Sequence, residues 1–215
     1  MGGYCVRNSN ISKAESINQV AIFGSSHVDE NHPLFKESFE VCKKLAEAGY
    51  VIVDGGGPGV MRAASLGAKA GGGKVIGVTF QADPKMHFEG RDPRNKFDVE
   101  IKTKNYVERT LTLLKEGQIY VIFDGGTGTI SEFGMAWGLA KLYFGHHKPL
   151  ILYGKFWENI VHAFKDNMIL RPEELEVYKI VESVDGVLQA ISDFEQELKH
   201  GQHRHVKATT DDFSI

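Results

Sequence analysis

The sequence predicts an α/β fold, a doubly wound and mostly parallel sheet with helices on both faces. Two observations predict it. Short apolar runs with strand character alternate with helix-period segments along most of the 215 residues, and two glycine clusters each sit where such a run gives way to a helix. Alternation implies parallel pairing, because parallel neighbours need a crossover and crossovers are right-handed, which covers both faces of the sheet. The clusters are Gly55-Gly56-Gly57-Pro58-Gly59-Val60-Met61 and Gly125-Gly126-Thr127-Gly128-Thr129-Ile130-Ser131-Glu132. Positions of this kind are where α/β proteins bind phosphate.

Residues 1 to 18 are polar, glycine-containing and aperiodic, and read as a flexible arm. Val20 to Phe23 is a short buried strand ended by Gly24-Ser25-Ser26. Leu34, Ser38, Val41, Cys42 and Leu45 then recur at helical spacing between Pro33, suited to a first turn, and Gly49, suited to a stop. Tyr50 to Val53 is the second strand, followed by the first glycine cluster and a small-residue helix through Ala63, Ala64 and Ala68 that stops at Gly71-Gly72-Gly73. Val75 to Val78 is the third strand. Thr79 to Lys104, with Pro84, Met86, His87, Phe88 and Pro93, is the longest irregular stretch and predicts a lid or specificity loop.

Val107, Leu111 and Leu114 mark a helix ahead of the strand Ile119 to Phe123. After the second glycine cluster, Phe133, Ala136, Trp137 and Ala140 repeat at i, i+3, i+4, i+7. Lys148 to Tyr153 and Tyr178 to Val181 supply the last strands, and Phe156 to Met168 and Val187 to Leu198 the last helices. Residues 199 to 215 read as a flexible tail. One nucleotide-binding domain over 19–198 accounts for this pattern, since 42% hydrophobic residues suffice for one sizeable core and no linker interrupts it. The common strand order 3-2-1-4-5-6 sets Gly24 and Ser25 against the Gly125 to Thr129 loop and opens the ligand crevice there.

Glycine lets a loop take positive φ and approach a ligand closely, while the unpaired N–H groups of the next helix point at the anion. Gly24, Ser25, Gly56, Gly57, Gly59, Met61, Gly125, Gly126, Thr127, Gly128 and Thr129 are therefore the candidate phosphate- and nucleotide-binding positions. Glu132 lies three residues beyond Thr129, within reach of whatever the glycines hold. Thr129-x-x-Glu132 also fits a capping box, in which the carboxylate reaches back to the N-cap amide, and spacing alone favours that cap. The first strand ends in Gly24-Ser25-Ser26-His27 without G-x-G-x-x-G, which argues against a dinucleotide.

A formal net charge of −3 gives no polyanion-binding signature and argues against nucleic acid as a partner. The chain has no stretch of about 18 apolar residues for a membrane span, and no apolar run near Met1 for a signal peptide. Cys5 and Cys42 offer neither a disulfide framework nor metal-ligand spacing, which fits a reducing, cytoplasmic setting without a metal. His27, His87, His146 and His147 lack a carboxylate or cysteine at ligand spacing and read as surface or loop histidines. Trp137 and Trp157 read as core or interface aromatics.

Together the two clusters resemble the paired signatures of the Lonely Guy family, whose second motif reads P-G-G-x-G-T-x-x-E, and the resemblance runs from roughly Val20 to Ile191. It implies a Rossmann-like fold and a nucleoside 5′-monophosphate phosphoribohydrolase, which hydrolyses the N-glycosidic bond of AMP or cytokinin nucleotides to free base and ribose 5-phosphate, with no cofactor. The family carries an arginine on the helix before the motif strand, where Arg109 stands in Tyr106-Val107-Glu108-Arg109. The resemblance thus implies Arg109 and Glu132 as the catalytic pair, with the arginine holding Glu132 ionised. By itself Arg109 reads as an exposed helical residue paired with Glu108 or a neighbour.

Asp124 replaces the family's usual proline, Arg62 stands where many members have Glu, and Thr110 where Lys is frequent. The family's older lysine decarboxylase label finds no lysine placed for a Schiff base with pyridoxal phosphate. The resemblance also implies a homodimer, as do Trp137, Leu139, Leu142 and Tyr143, more apolar residues than one buried helix face uses. A different function on the same scaffold is a non-catalytic carrier or sensor of a nucleotide or phosphorylated cofactor, as molybdenum-cofactor carriers of similar fold are.

Overall fold

Strands with apolar side chains on both faces need a helical layer on each side, and the structure supplies both. In the computed structural model β1 (Gln19–Phe23), β2 (Val51–Asp54), β3 (Val75–Phe80), β4 (Val99–Thr103), β5 (Ile119–Ile122), β6 (Leu150–Tyr153) and β7 (Tyr178–Val181) form one all-parallel sheet in the order β4-β3-β2-β1-β5-β6-β7. The helices are α1 (Pro33–Glu47), α2 (Val60–Ala70), α3 (Tyr106–Glu116), α4 (Thr127–Leu142), α5 (Phe156–Asn167) and α6 (Val184–Lys199), with a short 3-10 turn at Pro172–Leu175. The structure describes residues 17–80, 90–142 and 148–199. Residues 1 to 16 of the expected arm, the tail beyond Lys199, Cys5, Pro84, Met86, His87, Phe88, Tyr143, His146, His147 and the side chain of Leu142 lie outside them.

Strand alternation divides the core in two. Val20 and Ile22 of β1 join Ile52, Val75, Val121 and Ile151 beneath Val41, Leu45, Ala64, Val187 and Ile191 of α1, α2 and α6. Ala21 and Phe23 point the other way, with Val53, Val78, Ile122 and Leu152, onto Leu113, Phe133, Ala136 and Trp157 of α3, α4 and α5. Among the described residues no helix is long and apolar enough to cross a membrane.

The expected strand order holds, with one addition. β4 lies inside the stretch expected to be irregular, paired with β3 from Ile76↔Val99 to Phe80↔Thr103. It is an edge strand with one neighbour, so Glu100 and Lys102 are tolerated between Val99, Ile101 and Thr103. That alternation of charged and uncharged residues was a strand signal, and the surrounding prolines and charges outweighed it.

Adjacent β1 and β5 feed crossovers in opposite directions, and the loops leaving them meet at their carboxyl ends. Ser25 ties these loops together: its N–H donates to the Asp124 carbonyl (2.9 Å), and its carbonyl accepts the Val60 N–H at the start of α2 (2.8 Å). Gly59 makes that contact possible. It has φ +67°, and a Cβ there would run into the Ser25 carbonyl.

Candidate functional site

A cavity of about 420 Å³ opens at this switch point. Gly24, Ser25, Gly57, Met61, Gly126, Thr127, Gly128 and Thr129 line it, and so do Arg109 and Glu132. Gly56, Gly59 and Gly125 do not: Gly56 faces Thr79 and Phe97, Gly59 packs on Ser25 and Ser26, and Gly125 lies against Thr129 and the Ser25 amide. Among the described residues no group of three His, Cys, Asp or Glu side chains is placed to hold a metal ion.

The helix after the second cluster begins at Thr127, earlier than a Thr129 cap requires, and that changes what Glu132 does. Ile130 donates to the Gly126 carbonyl (3.0 Å), so the amides of Thr127, Gly128 and Thr129 are left at the open start of α4. The capping box does not form: among the described residues Glu132 has no hydrogen bond back to Thr129. Its side chain, 9% exposed, faces the Arg109 guanidinium with Oε1 3.9 Å from Nη1. Burial pushes the Glu132 carboxyl up to about 7, and the Arg109 charge opposes this without overcoming it. Arg109 thus favours the ionised form of Glu132, as expected, but desolvation outweighs the ion pair at that distance.

Arg109 is buried, and it does not pair with Glu108. Asn105 caps α3 by accepting the Glu108 N–H (2.9 Å), and the Glu108 carboxylate accepts the Lys104 N–H (2.9 Å). The guanidinium reaches inward: Nε donates to the carbonyls of Gly55 and Val78 (both 3.1 Å), and Nη2 donates to Gly55 (2.8 Å) and to Met61 Sδ (3.3 Å). A Cβ on Gly55 would fall on Nη2, so the first cluster must have glycine there for the arginine to dock.

Several residues at or behind the cavity were not marked as site positions by the sequence. Tyr106 lines the cavity with its hydroxyl 3.4 Å from Ser131 Oγ, and Ser131 lines it as well. His27 is exposed at the rim, and its N–H donates to Ser25 Oγ (3.1 Å). Asp54, fully buried at the end of β2, accepts the Gly56 N–H on Oδ1 (2.7 Å), and Oδ2 has no hydrogen-bond partner among the described residues. Burial raises its carboxyl to about 7 against the pull of that N–H and of Arg109. An acid closing the apolar run Val51-Ile52-Val53 was the available signal.

The segment after Gly90 packs on the first cluster. Asp92 accepts from Arg62 Nη1 (3.0 Å) and Arg94 Nη2 (2.8 Å), and although burial raises its carboxyl, these bonds bring it down to about 2. The three departures from the motif, Arg62, Thr110 and Asp124, all lie off the cavity lining.

A "Cytokinin riboside 5'-monophosphate phosphoribohydrolase" of Mycobacterium tuberculosis is 29% identical over 167 residues, 73% of this chain and 84% of that protein. An uncharacterized protein of Archaeoglobus fulgidus is 29% identical over 137 residues, 63% of this chain and 84% of that protein. The X-ray structure of TM1055 superposes with a TM-score of 0.62 at 26% identity, covering 82% of this chain and 99% of that one. The molybdenum cofactor carrier protein of Chlamydomonas reinhardtii shares the fold, with a TM-score of 0.60 at 20% identity over 83% of this chain and 98% of that one. The SLOG cluster4 family matches residues 17–171, a span that runs from β1 through both glycine clusters and past α5. With more than half its length inside that match, the chain belongs to the SLOG cluster4 family.

Proposed function

We propose that the protein hydrolyses the N-glycosidic bond of a nucleoside 5′-monophosphate of the AMP or cytokinin type to free base and ribose 5-phosphate. One observation carries this: a single cavity holds the open amides of α4 together with Arg109 and Glu132. The M. tuberculosis relative's name supports the same chemistry.

The 5′-phosphate sits on the amides of Thr127, Gly128 and Thr129, where the positive end of the α4 dipole favours an anion. This fixes the ribose toward Glu132. As the C1′–N bond breaks, its electron pair leaves with the base and positive charge builds on the ribose, which the Glu132 carboxylate stabilises. Water attacks C1′ and gives a proton to Glu132, whose value of about 7 suits a base at neutral pH. The departing base takes up a proton from solvent, and Glu132 returns the proton it accepted to solvent, so the sum is nucleotide plus water to free base plus ribose 5-phosphate. Arg109 and the Tyr106 hydroxyl face the same space and orient the ribose hydroxyls.

Incubation with a panel of nucleoside 5′-monophosphates, followed by assay for ribose 5-phosphate, tests the proposal. Glu132→Gln is expected to lose base release by roughly 10²-fold or more while nucleotide affinity stays within about tenfold, 1.4 kcal/mol. Tight nucleotide binding without turnover by the unmodified protein overturns it in favour of a carrier.

We also propose a homodimer, on a narrower basis than the sequence offered. Trp137 is used within the chain, donating to the Glu174 carbonyl (2.6 Å) and packing on Phe133 and Phe164, and Leu139 packs on the core. What α4 leaves open is Ile130, 57% exposed, in line with Gly134 and Gly138, each with empty space where a Cβ would be. A second copy on this stripe gives a light-scattering mass of two chains, and one chain at micromolar concentration refutes it.

A further inference from the structure

The first glycine cluster has the composition of a phosphate cradle, yet its polar groups serve other residues. The Gly55 carbonyl accepts from Arg109 Nε and Nη2, and the Gly56 N–H donates to Asp54. The Gly56 carbonyl accepts from the Asp92 N–H (2.9 Å) and from Asn95 Nδ2 (2.6 Å), and the Gly57 carbonyl accepts from the same Nδ2 (2.9 Å). Asn95 is 5% exposed, and its amide nitrogen gives both hydrogens to these two carbonyls while Oδ1 has no hydrogen-bond partner among the described residues. A side chain buried with half its amide unsatisfied is held there by the two bonds it does make.

Those bonds fix the turn that anchors Arg109. With Nε and Nη2 held on the Gly55 and Val78 carbonyls and Met61, the third nitrogen stops 3.9 Å from Glu132, beyond hydrogen-bond distance. A buried guanidinium and carboxylate this close, if unrestrained, close into a direct charge-assisted pair. That pair would occupy both groups and turn them away from the cavity they line.

We propose that Asn95 is a positioning residue for the reaction proposed above, on which this inference rests: by fixing the Gly55–Gly57 turn it holds Arg109 on the Gly55 carbonyl and off Glu132, leaving both charged groups turned toward substrate. Asn95 is outside the cavity lining and acts only through the loop. A purely structural role, anchoring the segment after Gly90, is separable. Ser65 on α2 anchors that segment too, accepting the Lys96 N–H (3.0 Å) and donating to its carbonyl (3.3 Å), without touching the glycine loop.

The test follows the Glu132 carboxyl by ¹³C-glutamate NMR titration of the unliganded full chain, its signal assigned by loss in Glu132→Gln. The titratable and charged groups lining the cavity around it, among the described residues, are Arg109, Tyr106 and His27, and Asp54 acts on Arg109 from the end of β2. In Asn95→Ala the Glu132 midpoint is expected to fall by about one pH unit or more as the guanidinium closes on it, and in Ser65→Ala to stay within about 0.3 unit. With a nucleotide substrate, Asn95→Ala is expected to lose roughly tenfold in kcat with KM within about threefold. Should Asn95→Ala not fold, Asn95→Ser, which keeps one donor, is judged by the same midpoint.

A midpoint unmoved in the Asn95 variant, an equal shift in Ser65→Ala, or a shift without loss of kcat overturns the proposal. If the unmodified protein releases no base from any nucleotide, the proposed function fails, and the titration still decides whether Asn95 holds Arg109 away from Glu132.

Discussion

Two carboxyls that share the Arg109 charge, Asp54 and Glu132, are both lifted to about 7 by burial. In the proposed reaction Glu132 acts ionised, so kcat/KM is expected to rise with pH through about 7, and Arg109→Gln, which removes the charge that lowers this value, is expected to move the limb to higher pH. Steady-state rates from pH 5 to about 9 read both outcomes. For stability the sign runs the other way. The folded-state value of Asp54 is raised from 3.8 to about 7, so its favourable contribution is complete below the unfolded value and is lost as pH climbs through the folded one. Asp54→Asn keeps an acceptor for the Gly56 N–H and has no proton to lose. At pH near 8 the variant is expected to be more stable by on the order of 2 kcal/mol, with the difference fading toward pH 4, as read by urea denaturation. Equal stability at pH 8 refutes the buried ionisation.

At the scale of elements, α4 carries the proposed anion site and gives a direct comparison. Adenosine, which lacks the 5′-phosphate, is expected to react far more slowly than AMP, because the Thr127, Gly128 and Thr129 amides lose the group that positions the ribose. Equal turnover contradicts this. The existence and order of nearly every helix and strand were legible, since apolar periodicity is local and strong. β4 was not, because its alternation is short and half charged at a sheet edge. The start of α4 was misplaced for a different reason: Thr129-x-x-Glu132 satisfies the capping pattern, but burial of Glu132 against Arg109 decides where its carboxyl points, and burial is a tertiary property.

Over the whole molecule, the strand order and the meeting of Gly24 and Ser25 with the second cluster followed from right-handed crossovers and the switch point. The network around Arg109 did not, for it joins the ends of β2 and β3 to α3 and α4 across separations of 31 and 54 residues that no local pattern records. Motif resemblance picked out Arg109 and Glu132, but Asp54 and Asn95, which hydrogen-bond the glycine turn on which Arg109 docks, carry no motif of their own.

Both tryptophans of the chain lie on the same side of the sheet. Trp137 and Trp157 both pack on Phe133, 5.2 and 5.0 Å between ring centres, and the layer formed by α1, α2 and α6 has no indole in it. Intrinsic fluorescence is therefore a one-sided reporter: it follows the loosening of α4 and α5 and is blind to a separation of α1 from α2. Far-ultraviolet circular dichroism weighs both layers, so only agreement between the two signals shows that the sheet and its two coverings melt as one cooperative unit.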